Sequence, residues 1–262
     1  MKIHHIRNAT SVIEVEDKVI LVDPMLSKKG EAGPPFTFFR FKPQRNPTVG
    51  LPSNAMDIIE KTTHCLITHL HPDHLDKKAV EFLRAKNIPV ICSIKDEAAL
   101  RKKGLQVSQT IDYWKRTDFL GGKIEGIPAK HGYGFIAKPA GNVMGFYIEF
   151  AGQPSVYLSS DTIYTDDVHK VLKEYQPDIS IVAAGSAQFD IFKPVLMTMA
   201  DILRFIQDAP GQVIANHMES INHCPTTRAQ LKKEVAALGL SKKVAIPQDG
   251  ECITYQDLIK AS

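Results

Sequence analysis

The chain has no run approaching the roughly 18 to 20 consecutive apolar residues that a membrane helix needs. Its amino terminus, MKIHHIRNATSVIEVEDKVILVD, lacks the apolar core of a signal peptide and reads as short alternating strands. Cysteine is scarce. Cys65, Cys92, Cys224 and Cys252 stand far apart and form no C-x-x-C pair, so unbridged, mostly buried thiols are expected. Excess charge of one sign is missing as well. With 32 Lys plus Arg against 29 Asp plus Glu, the formal charge is only +3, which excludes a dominant basic nucleic-acid surface. No Pro-, Gly- or Ser-rich break divides the two halves of the chain. The expectation is one cytoplasmic domain over residues 1–262, acting on a small molecule, with no nucleic acid and no membrane span, self-association left open.

What is present is an ordinary globular composition, 44% hydrophobic and 23% charged, long enough for a core without disulfide staples. Strands are predicted over 2–7, 11–15 and 18–22, with a tight turn at Glu16-Asp17. Residues 24–52 are rich in proline, carry the aromatic run FTFFRF from Phe36 to Phe41, and show no period. They read as a long functional loop or flap, or as a surface loop whose phenylalanines pack down. From residue 53 helices and strands alternate: helices over 55–61, 77–86 and 95–103, strands over 64–68 and 89–93. Short strands with turns follow over 106–129, then a strand pair over 144–150 and 155–159.

The last hundred residues repeat the alternation. Val168, Val171, Leu172 and Tyr175 make one helical stripe after a Thr165 cap. Thr198-x-x-Asp201 and Thr227-x-x-Gln230 are capping-box patterns for two more helices, with strands at 179–183 and 212–215 between. Paired strands followed by strand–helix alternation, in both halves, predict an α/β fold. Two sheets pack together with helices outside, each half giving one layer of each.

The densest signal is histidine. Four of ten, His64, His69, His71 and His74, fall within eleven residues. Thr68-His69-Leu70-His71-Pro72-Asp73-His74-Leu75-Asp76 follows the apolar strand CLIT. His69 and His71, two apart on extended chain, point to one side, while Asp73 and His74 sit at a turn where they can reach a second point. Three imidazoles and a carboxylate suit zinc or a similar divalent ion. His64 is assigned to structure or surface, as are His4, His5 and His169, and Asp76 to a solvent-facing or capping role.

At this motif the chain resembles the metallo-β-lactamase superfamily. The resemblance implies a four-layer αββα sandwich with a binuclear metal site where the sheets meet. Asp23, ending LVD, looks like the family's Asp that braces the metal loop. His131 in AKHGYG, Asp161 in LSSDT and His217 in IANHME match the later motifs. By resemblance His69, His71 and His131 hold one metal, Asp73, His74 and His217 hold the second, and Asp161 bridges them. The strings LVDPML, THLHPDHLD, SSDT and NHMESINHCPTTR are most similar to the branch with ascorbate-6-phosphate lactonase and the phospholipase-D-type hydrolases of N-acyl ethanolamine lipids. Ser160 departs from the Gly that many relatives carry before this Asp.

The cofactors so implied are two divalent ions, zinc first and manganese as the alternative. Two such ions roughly 3.5 to 4 Å apart lower the pKa of a bridging water to about 7. The resulting hydroxide is the expected nucleophile on an ester, lactone or phosphodiester, with Asp73 steering the water and passing a proton to the leaving group. Candidate substrate residues are Arg228, which could grip a phosphate or carboxylate, with His223, Glu219, Tyr133, Lys130 and Gln188. His223 reads equally as a residue supporting the ligands. Two alternatives are a non-catalytic metal-binding protein on the same fold and a redox di-iron variant. The second usually carries a carboxylate where His71 stands and an appended flavin domain.

Overall fold

Apolar side chains on both faces of the first 22 residues build a three-stranded antiparallel meander: β1 (Lys2–Arg7), β2 (Thr10–Val15) and β3 (Lys18–Val22). Its turns place Asn8 and Glu16 at φ of 57° and 54°, the left-handed region that Asn tolerates well. The computed structural model describes residues 1–134 and 141–256. After the irregular segment 24–52 come α1 (Ala55–Ile59), β4 (His64–Ile67), α2 (Lys77–Ala85), β5 (Val90–Ser93), α3 (Glu97–Lys102) and β6 (Val107–Ile111). Strands β3 to β6 run parallel, each crossover carrying a helix, as parallel pairing demands.

The second sheet contains β7 (Thr117–Phe119), β8 (Gly122–Pro128), β9 (Met144–Glu149) and β10 (Val156–Leu158). After α4 (Asp166–Lys170) and a π-helical turn at Val171–Tyr175 come β11 (Ile179–Ala183), α5 (Met199–Asp208), β12 (Gln212–Asn216), α6 (Arg228–Ala237) and β13 (Val244–Ala245). The predicted caps are present: Thr165, Thr198 and Thr227 each accept a backbone N–H, the last two in full capping boxes. Such a cap contributes about 1 kcal/mol. One strand breaks the expected division by halves. β14 (Cys252–Thr254) returns to pair with β1, so the first sheet is ordered β14-β1-β2-β3-β4-β5-β6 and the second β13-β12-β11-β10-β9-β8-β7.

Period-two burial assembles the layers. Ile13 and Leu66 of one sheet meet Phe146, Leu158 and Ile181 of the other in the central core. The intervening Val12 and Leu21 face Ile58 and Ile59 of α1, and Tyr157 and Val182 face Val168, Phe205 and Leu231 beneath α4 to α6. Each fully buried aliphatic or aromatic side chain contributes about 1.5 to 3 kcal/mol. Two mixed sheets with helices on both outer faces are the expected α/β sandwich. Strands β8, β10, β11 and β12 share one direction, as do β3 to β6, so the segments leaving their carboxyl ends collect functional groups at an edge.

Candidate metal centre

Five strand ends supply the site. Asp23 follows β3, the motif Thr68 to Asp76 follows β4, His131 follows β8, Asp161 follows β10 and His217 follows β12. Asp23 and His217 have φ of 45° and 60° and Ser160 57°, so the chain turns sharply as it leaves each strand. Gly185 allows one of these turns. A Cβ there would meet the His217 carbonyl oxygen at 2.2 Å. The His217 N–H donates to the Asn8 carbonyl at 2.9 Å and the Met144 N–H to that of Thr68 at 3.1 Å, tying the two sheets across the site.

All seven expected ligands converge, in two sets. His69, His71 and His131 each bring one donor atom within 4.8 Å of the others, as do Asp73, His74, Asp161 and His217. All but His71 are buried. His69 Nε2 faces His71 Nδ1 at 3.1 Å, and His74 Nε2 faces His217 Nε2 at 3.2 Å. Asp161 touches both sets: its Oδ2 is 3.6 Å from His131 Nε2 and 3.5 Å from His217 Nε2. Its Oδ1 accepts no hydrogen bond and stands 3.3 Å from His74 Nε2. Asp161 does not cap a helix. That role falls to Thr165.

The far side of four of the five rings is held. Thr68 donates its N–H and its hydroxyl to Asp23, at 2.8 and 2.7 Å. The Thr68 hydroxyl oxygen is then left to accept from His69 Nδ1 at 2.9 Å. His74 Nδ1 meets Asp23 Oδ2 at 2.9 Å, and His131 Nδ1 donates to the Val195 carbonyl at 2.7 Å. His217 Nδ1 lies 3.6 Å from Cys224 Sγ. The opposite nitrogens of these four rings thereby face inward, the arrangement of metal-ligating histidine.

The electrostatics of the two sets differ. Burial holds the His69 and His71 imidazoles below their ordinary pKa. Burial opposes charge on His74 too, yet Asp161, Asp23 and Asp73 lift it to about 10. His217 rises likewise against burial, drawn up chiefly by Asp161. Carboxylates buried among these rings create a field that demands positive charge at the centre.

The substrate candidates fare less well. Arg228 is engaged elsewhere: Nη1 donates to Glu219, Nη2 to Asp249, and Nε to the Pro247 carbonyl at 2.6 Å, with His5 Nε2 3.2 Å from Nη2. Its guanidinium is thus held in a buried pairing, which also occupies Glu219. Tyr133 donates its hydroxyl to Asp201, the capping acid of α5. Lys130 offers its backbone N–H to Thr162, and Gln188 its amide to the Phe192 carbonyl. Asp76 is no solvent-facing residue. Buried, it caps α2 through Ala79 and accepts the Ser27 N–H at 2.7 Å.

His223 keeps its candidacy. Its ring stacks on Phe189 at 5.1 Å between centroids and meets Phe36 edge-on at 5.0 Å, and burial lowers its pKa to about 4. The loop 36–41 is pinned: Asp190 accepts the Thr37 hydroxyl and the N–H groups of Phe38, Phe39 and Arg40. Sequence reasoning passed over Asn8, whose Nδ2 donates to the Asp73 carbonyl at 3.1 Å and lies 3.4 Å from His217 Nε2. An Asn between two strands reads as a turn residue, so no local signal marked it.

The family described as Beta-lactamase superfamily domain matches residues 18–218. UPF0173 protein YddR of Bacillus subtilis is 30% identical over 260 residues, covering 97% of this chain and all (100%) of that one. The chain belongs to the metallo-β-lactamase superfamily, in its UPF0173 family. Two solved structures superpose with a TM-score of 0.87 at 30% identity, over 97% of this chain and 99% of theirs. One is a possible metal-dependent hydrolase from Veillonella parvula, the other an isothiocyanate hydrolase from Delia radicum gut bacteria.

Proposed function

We propose that this UPF0173 member is a metal-dependent hydrolase that holds two divalent cations, one on His69, His71 and His131 and one on Asp73, His74 and His217, with Asp161 shared. The observation that carries this reading is the pair of donor sets, each within 4.8 Å, that meet at Asp161. The residues fit such ions on physical grounds. Ring nitrogens that face each other at 3.1 and 3.2 Å sit close enough to share one cation, and Asp161 Oδ1 has a lone pair that no hydrogen bond uses. Imidazole-rich sets with two carboxylates suit zinc first, manganese second. When bound, such ions acidify water towards neutral pH and polarise the bond under attack.

The chain's own groups do the rest. Asp73, buried beside His74 and His217, is placed to orient the attacking water. His223, kept neutral between two aromatic rings, can donate or accept one hydrogen bond to substrate without introducing charge. The substrate class is a small electrophile with one polarised centre. Esters, lactones and phosphodiesters meet this description, and so does the central carbon of an isothiocyanate. The last is the first to try, because the 30% identical neighbour hydrolysing it spans 97% of this chain. The test is a panel of isothiocyanates, lactones, esters and phosphodiesters with protein loaded with zinc or manganese. Turnover that Asp161→Ala and His71→Ala each abolish supports the reading. A metal-loaded protein inert on all four classes would refute hydrolysis.

A further inference from the structure

Away from the ligands, four large apolar side chains project from two loops joined to each other. Phe39 is 91% and Ile191 83% exposed, and Phe38 and Phe192 are about half exposed at 53% and 48%. Asp190 locks the loops together through Phe38, Phe39 and Arg40, so these side chains form one patch rather than scattered outliers. Most exposed apolar residues on a soluble protein are isolated, and a contiguous group of this size marks a contact surface.

Cations outnumber acids around it. Arg40 donates only to the carbonyls of Phe189 and Asp190, so its charge is not neutralised by those contacts. Lys42 and Lys193 flank the tips, exposed, and among the described residues no carboxylate forms an ion pair with Arg40, Lys42 or Lys193. The one acid at the centre, Asp190, keeps its charge but turns its oxygens to the hydroxyl and N–H groups of the other loop, which leaves the three cations in excess. A second copy is a poor fit. A two-fold interface would set this patch against itself, with like charges meeting round the rim. Protruding apolar tips circled by unpaired cations instead match a surface that is apolar inside and anionic outside.

We propose that Phe38, Phe39, Ile191 and Phe192, ringed by Arg40, Lys42 and Lys193, seat the protein on an anionic lipid surface. The tips enter the headgroup boundary while the cations face lipid phosphates. His223 packs on Phe36 and Phe189, the neighbours of these tips, so the site lies beside the docked face.

The test is flotation of the full chain with vesicles of phosphatidylcholine alone and of phosphatidylcholine containing phosphatidylglycerol. The protein floats with the second and not the first, and high salt releases it. Two separate double variants, Phe39→Ala with Ile191→Ala and Lys42→Glu with Lys193→Glu, each cut partitioning by roughly tenfold. Being at exposed positions, both keep the parent melting temperature. Equal flotation of parent and variants overturns the proposal, as does failure of the parent to float. A solution dimer that both variants dissociate would assign the patch to a second copy, and overturns it too.

Discussion

Asp23 Oδ2 stands 2.9 Å from Nδ1 of His74 while its other oxygen accepts the Thr68 N–H at 2.8 Å. One carboxylate thus fixes the tautomer of His74 and the course of the loop that carries the motif. Asp23→Asn keeps the shape but removes the charge. It should lower metal affinity by about 10- to 100-fold without unfolding the chain. Competition with a metal indicator reads this, and unchanged affinity would remove Asp23 from the supporting set.

Arg228 offers a stability test. Its guanidinium is buried against Glu219, Asp249 and the Pro247 carbonyl, so Arg228→Ala strips both carboxylates of their guanidinium and leaves Asp249 with His5 and Glu219 with one backbone N–H. The expected loss is about 2 to 4 kcal/mol, reduced from the fully buried figure because Glu219 and Asp249 are partly exposed. Urea denaturation measures it. A stable variant with only a raised KM would restore the substrate-gripping role.

The thiols report burial. Burial pushes the Cys92 thiol from 9.0 up to about 12 and raises those of Cys65 and Cys224 as well. At pH 8 a thiol reagent should therefore label Cys252, which is exposed, long before the other three. Because these pKa values are raised by folding, the neutral thiols favour the native state fully below pH 9. That stability is lost as pH rises from about 9 towards 12. Equal labelling of all four in the native protein would contradict this packing.

The loop 36–41 hangs on Asp190, whose carboxylate the Thr37 hydroxyl and three backbone N–H groups hold well below the ordinary carboxylate range. The anchor is complete above that range and fails only as pH falls far beneath it. Asp190→Ala should release the loop and speed tryptic cleavage after Arg40 several-fold. Limited proteolysis decides, and an unaltered rate would show that other contacts fix the loop.

How much of this could be read from residues alone follows from the range of the interactions. His69, His71, Asp73 and His74 are local, and their spacing after an apolar strand declares them. Thr165, Thr198 and Thr227 are equally local, and each cap formed where its pattern stood. The pairing of Arg228 was not legible because its partners are set by the fold. Asp249 lies 21 positions on, and His5 lies 223 positions away. Asn8 was invisible for the same reason, since β12 alone brings His217 to it. β14 is three residues long and exists through its register with β1, which no pattern inside Cys252–Thr254 announces. His131, Asp161 and His217 were legible only by family resemblance, single residues in separate loops that the sheet edge brings together.

The most direct measurement is the metal content of the purified, metal-supplemented chain by mass spectrometry, alone and with one ligand removed from each set. Two divalent ions per chain are expected, falling to about one in His131→Ala and in His217→Ala. A single ion in the parent, or two retained in both variants, would contradict the two-set centre.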